Sequence, residues 1–422
     1  MSTLLILNGR VIDPSQGMDR VTNILVRDGR VAAYDVSPRG DEQLLDATDK
    51  IVAPGLIDMH VELREPGFEE DETIGTGTAA AISGGYTSIA CMPNTEPPLD
   101  TQASVEFVRQ KAARAHNCNV FVVACVSKNR DGKELAELGS LVEGGAVAFS
   151  DAARSLQNAE LLRRALEYCL MFDKPILNHP EEIELTHGGI MHEGKTSLVL
   201  GLAGIPTEAE DVMTSRDLHL AESTGGRLHL SNISTKGSVE LLRRARARGA
   251  RVTSSVCIAN LILTDERLRT FDSNCKVSPP LRSQDHIDAC IAGLTDGTID
   301  VIASGHAPRA QEKKMRELDH APFGMINLET TLALVITKLI EPGYLDWSHA
   351  LEKLTINPAQ ILGLQKGTLQ IGADADITII DPAARWTVEP TRFKSKSSNS
   401  PFVGYQLRGR ASQVIVGGEL KG

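Results

Sequence analysis

Four side chains of the kinds that hold metal ions or move protons stand at the ends of apolar runs. They are His60 and Glu62 in GLIDMHVEL, Asp151 after AVAFS, and His179 closing PILNH. Side chains alternate along an extended strand, so Asp58, His60, Glu62 and Arg64 share one face. Imidazole and carboxylate suit zinc, and His60, Glu62, Asp151 and His179 together offer donors for one ion. A plainer reading stands beside this at each position. Strand-end histidines are commonly hydrogen-bonded structural residues, and Glu62 can pair with Arg64 or Arg309 instead of a metal.

The elements that must position these residues are legible in the same rows. Between Pro54 and Leu364, short apolar runs at 55–63, 87–92, 119–125, 146–150, 175–179, 227–232, 251–256 and 299–305 alternate with helical patterns such as 101–116, 157–172, 207–223 and 283–294. Eight strands separated by helices predict an α/β fold of the (β/α)8, TIM-like type, whose chemistry sits at the C-terminal strand ends. Residues 1–53 and 365–422 instead hold alternating runs and a hairpin signal at Asp28-Gly29, so both chain ends are expected to form one small β domain beside a barrel of residues 54–364. The segment KSKSSNS (394–400) reads by composition as a mobile loop.

Composition narrows the function. A formal net charge of −11 argues against nucleic acid, and the basic run at Arg243, Arg244, Arg246 and Arg248 reads as a solvated helix face. No apolar stretch approaches the roughly 18 residues that cross a bilayer, and the N-terminus lacks the basic region of a signal peptide. Seven cysteines, with no C-x-x-C pair among them, read as reduced, buried thiols. A cytoplasmic protein without membrane or nucleic-acid partners is expected.

The motifs PGLIDMHVELREPGFEEDET, MPNTEPP, AFSD, NHPEE, SNISTK, KVSPPLR, SGHAPR, APFGMINLET, GADADITIID and SKSSNSPFVGYQLRG follow one another over nearly the whole chain. In this order they resemble the dihydroorotases of the amidohydrolase superfamily. The resemblance implies a two-zinc site, a bridging hydroxide that attacks a ring amide, and an Asp after the eighth strand that carries the proton to the leaving nitrogen. It makes His60, Asp151 and His179 metal-ligand positions, and Arg64 and Asn94 the grip on a substrate carboxylate. Structural alternatives stand beside the last two: a salt bridge from Arg64 to Glu65 or a nearby acid, and a turn role for Asn94.

Five positions depart from the family pattern. Glu62 and Asn232 replace ligand histidines, Gly305 the ligand and base Asp, Arg309 a His, and Ser278 an Asn. His229 and Asp300 lie on the wrong strand faces to substitute, and the ring of His306 is expected to point away from the gap at Gly305. No lysine ends the fourth or fifth run, so a carboxylated-lysine bridge has no donor.

General acid–base catalysis contributes roughly 10²- to 10⁴-fold, and metal activation of water is the other large factor. Changing ligands, base and substrate contacts together is therefore expected to silence the reaction, with zinc absent or reduced to one weakly held ion and no confident catalytic residue. The expected role is then that of a structural partner of aspartate transcarbamoylase, within a homo-oligomer or hetero-complex. The alternatives are an active cyclic-amide hydrolase with one metal on His60, Glu62, Asp151 and His179, and a small-molecule sensor using Arg64 and Asn94.

Overall fold

The computed structural model describes residues 3–40 and 42–421 of the chain. Eight parallel strands form its centre: β1 (Leu56–Val61), β2 (Tyr86–Cys91), β3 (Asn119–Ala124), β4 (Ala146–Phe149), β5 (Ile176–Asn178), β6 (Leu228–Leu230), β7 (Val252–Cys257) and β8 (Val301–Ala303). They neighbour one another in chain order. The barrel closes where Glu62 donates its backbone N–H to the His306 carbonyl at 2.9 Å, just past the ends of β1 and β8. β1 and β2 are buried along their full length, as strands covered on both faces must be. Met59, Ala90, Val123, Ala148, Leu177 and Val301 form an inner apolar cluster, and a larger one joins the strands to the helices around them.

Both chain ends enter one further sheet. Ile51–Pro54 pairs with Thr3–Asp13 on one side and runs antiparallel to Ile377–Thr387 on the other, and Ile377–Thr387 in turn pairs with Gln406–Val416. This sheet has its own core of Leu4, Ile6, Val11, Ile24, Val52, Ile377 and Ile415. All seven cysteines are buried and unpaired. Among the described residues, no helix is long and apolar enough to cross a membrane. Arg243, Arg244, Arg246 and Arg248 pair with Glu240, Asp296, Asp300 and Glu222, so the basic run is neutralised within the chain.

The expectation for 394–400 is overturned. Ser395, Ser397, Asn399 and Ser400 are buried. Ser395 Oγ donates to Glu72, Ser397 Oγ donates to the Asp71 carbonyl at 2.6 Å, and Asn399 Nδ2 donates to the carbonyls of Ala307 and Gly324. Small polar side chains here satisfy buried backbone groups of the loops they cross, and that use looks like disorder when only composition is read.

Candidate functional site

The mouth of the barrel is built first from β1. His60 and Glu62 are buried on the same side of the chain, and Arg64 follows with a left-handed backbone (φ 61°). Burial pushes the His60 imidazole down to about 4. Burial would likewise raise the Glu62 carboxyl, but the guanidiniums of Arg64 and Arg309, His60 and the Asn94 side chain hold it below its ordinary value. Arg64 ion-pairs with Glu62, and its Nε donates to the Pro308 carbonyl at 3.2 Å. The partner of Arg64 is therefore Glu62. Glu65 instead accepts from the Ile74 backbone N–H and pairs with Lys111. Asn94 is buried.

The other donors are also engaged. Asp151 accepts the backbone N–H groups of Val126 and Ser127 at 2.9 and 3.1 Å and the Ser127 hydroxyl. Burial raises its carboxyl despite these bonds. His179 has Nδ1 3.4 Å from the Ser231 carbonyl and Nε2 3.3 Å from Ser278 Oγ and 3.2 Å from Glu181. Burial opposes its charge, but Glu181, Glu210 and the Ser231 carbonyl together lift the imidazole above its ordinary value. Asn232 sits at φ 57°, a backbone that Asn tolerates, and donates its N–H to Ser255 Oγ at 3.0 Å.

Position 305 is closed to the missing carboxylate. Gly305 has φ 61°, and a Cβ placed there would lie 2.4 Å from Cys257 Sγ. His229 bridges Thr253 and Ser255 at 2.9 and 3.1 Å. Asp300 pairs with Arg246, and His306 turns toward Glu72 at 3.6 Å. None of these three fills the gap.

A zinc ion does not fit this donor set as arranged. Among the described residues, the one grouping of three His, Cys, Asp or Glu whose ligand atoms all lie within 4.8 Å of one another is Glu317, Asp319 and His320, exposed on a loop. The expectation that His60, Glu62, Asp151 and His179 could hold one ion meets a physical obstacle at three of the four. Glu62 is engaged by Arg64, Asp151 by Ser127, and His179 by Glu181. The cavity that remains, lined by Glu62, Cys257, Ser278, Gly305, Arg309 and Phe323, has a volume of about 70 Å³. Ordinary small-molecule sites run to roughly 300–1,000 Å³.

Sequence reasoning missed Ser127, Arg130 and Cys257 as parts of this site. It also missed the fully buried Arg282, whose Nε donates to Ser234 Oγ at 3.0 Å and whose Nη1 donates to the Ile205 carbonyl at 3.1 Å. Glu210 faces Arg282 and accepts the backbone N–H groups of Ser234 and Thr235 at 2.8 and 3.0 Å. Arg282 lies in KVSPPLR, and Ser234 and Thr235 lie in SNISTK, so these motifs meet at a buried ion pair that lines one pocket with His179 and Glu181. An Arg in an apolar, Pro-rich stretch was the available signal.

Comparison with known proteins gives a consistent relationship. A family described as "Dihydro-orotase-like" matches residues 49–238, and one described as "Amidohydrolase family" matches residues 280–420. The chain is 49% identical to a putative dihydroorotase of Rhodopirellula baltica over 100% of its own length and 93% of that protein. It is 50% identical to a dihydroorotase of Pelotomaculum thermopropionicum, covering 99% and 98% of the two chains. Among solved structures it resembles an L-hydantoinase (dihydropyrimidinase) from Arthrobacter aurescens, with a TM-score of 0.89, 25% identity and coverage of 100% and 96%.

Proposed function

The chain belongs to the dihydroorotase-like family of the amidohydrolase superfamily, and from that premise we propose that it serves pyrimidine biosynthesis in the cytoplasm as a catalytically silent member that binds aspartate transcarbamoylase. One observation carries the first half. Residue 305, where the resemblance calls for ligand and base together, is a glycine whose side-chain direction is filled by Cys257 Sγ. A glycine neither coordinates metal nor carries a proton to the leaving amide nitrogen. Removing a general base alone costs roughly 10²- to 10⁴-fold in rate.

The partner half comes from the resemblance, and the exposed side chains support it. Ile183, Leu185, Leu198, Val199 and Val212 are exposed on the excursion between β5 and β6, which gives a partner apolar area to cover. A second reading, favoured by the name and 50% identity of the Pelotomaculum relative, is an active enzyme with one ion on His60, Glu62, Asp151 and His179. It requires Glu62 to leave Arg64 and Asp151 to leave Ser127.

Hydrolysis of dihydroorotate by the purified chain, assayed with added zinc, separates the two readings. The silent reading expects no rate above background, and turnover abolished by His179→Ala supports the active one. Co-purification with aspartate transcarbamoylase, weakened by Leu198→Glu with Val199→Glu, is expected for the partner role, and its absence removes that role independently.

A further inference from the structure

Two arginines face each other across the sheet that both chain ends build. Arg385 and Arg408 are direct cross-strand partners where Ile377–Thr387 pairs antiparallel with Gln406–Val416. Like charges placed directly opposite destabilise a strand pair, and both side chains are exposed. Arg408 Nη1 donates to Glu341 at 2.6 Å. Among the described residues Arg385 makes no ion pair, and neither does Arg410, whose guanidinium stands 5.9 Å from the centre of the Trp386 ring. Asp381, the cross-strand partner of Arg410, is taken by Lys50. On a chain of net charge −11, Arg385, Arg408 and Arg410 therefore have one free carboxylate, Glu341, between them.

The same residues line a groove. Arg385 and Arg408 stand with Trp386, Gln406, Thr337 and Glu341 around a volume of about 590 Å³, between the strand pair and the helical turn Ile336–Ile340. The groove shares no lining residue with the small cavity at the barrel mouth, and its size falls in the range of roughly 300–1,000 Å³ common to small-molecule sites. Trp386 is half-buried, and its Nε1 donates to the Gly409 carbonyl at 3.0 Å, which restrains the plane of the indole. A restrained, partly open indole is a stacking platform for a flat ring, and paired guanidiniums match the oxygens of a phosphate. We propose that this groove binds a nucleoside monophosphate, with the phosphate bridging Arg385 and Arg408 and the base stacked on Trp386. The bound anion relieves the repulsion within the cross-strand arginine pair. Neither reading of the barrel mouth, silent or active, enters the argument.

The test is a titration of the purified full chain with UMP, AMP, uridine and inorganic phosphate, read by calorimetry and by tryptophan fluorescence. Both nucleotides are expected to bind saturably and to change the fluorescence. Uridine and inorganic phosphate should each bind at least about ten-fold more weakly, because each keeps only one of the two contacts. Arg385→Ala, at an exposed position, should leave the melting temperature unchanged and weaken both nucleotides roughly ten-fold or more. Trp386→Leu should bring the nucleotides down to the affinity of inorganic phosphate, and if that variant fails to fold, the uridine and phosphate titrations of the native chain read the same two contacts. Absence of saturation by either nucleotide, equal affinity for inorganic phosphate, or an affinity that survives Arg385→Ala unchanged each overturns the proposal. A single-stranded oligonucleotide bound more tightly than either mononucleotide would make the groove a nucleic-acid surface and overturns it as well.

Discussion

Two buried arginine–glutamate pairs in this molecule make a useful contrast. Arg282 and Glu210 are nearly surrounded: the guanidinium donates to Ser234, Ile205 and Glu210, and the carboxylate caps the turn entering the helix Lys236–Ala247 through two backbone N–H groups. Arg64 and Glu62 face each other with buried atoms left without good hydrogen bonds. A buried ion pair is stabilising only when its remaining donors and acceptors are satisfied. The first pair holds the frame, and the second sits at the end of β1 beside the cavity that Glu62 lines.

The largest effect should come from breaking the frame. Arg282→Met strands Glu210 without its cation and is expected to cost about 3–5 kcal/mol, measured by denaturant unfolding. Arg64→Met should cost less, about 1–3 kcal/mol, because Glu62 still shares its cavity with the Arg309 guanidinium. Equal losses would dissolve the contrast.

Acid should act on the same frame. Burial pushes His229 down to about 3, and burial followed by the charge of Arg282 pushes His192 down to about 4. Both lie below the ordinary value near 6.5, so the folded chain keeps these rings neutral while the unfolded chain takes up protons. The stability they contribute is complete above about pH 6.5 and is lost as pH falls toward 4. Each accounts for about 2 kcal/mol between pH 6.5 and 4.5. His229→Gln should flatten that part of the stability–pH curve, and an unchanged slope would remove His229 from the account.

Much of the frame was legible in the sequence. The eight apolar runs fall on β1 to β8, and the alternating runs at the two chain ends meet in one sheet. These are local signals, set by side-chain periodicity. The site was legible only as a set of positions, because partner choice is a long-range matter. Nothing near Asp151 in sequence announces Ser127 as its partner. Composition likewise hides that 394–400 binds Glu72 and Asp71. Cys257 became visible as the obstacle at position 305 only when β7 and β8 were placed side by side.

That obstacle gives a further test on the pocket side of the comparison. Gly305→Asp should destabilise by about 1–3 kcal/mol through overpacking, and adding Cys257→Ala should recover part of the loss. Restoring Glu62→His, Asn232→His and Gly305→Asp together should therefore fail to rebuild a metal site while Cys257 remains. The smallest effect belongs to neither region: Arg243→Ala, on an exposed helix face, should stay within about 0.5 kcal/mol.

Glu62, Asp151 and His179 are engaged by the protein's own groups. Zinc stoichiometry of the purified chain, after incubation with excess zinc and exhaustive buffer exchange, tests this most directly. The account predicts no retained ion that depends on these residues. One or two zinc ions per chain, lost on His60→Ala and on His179→Ala, would contradict it.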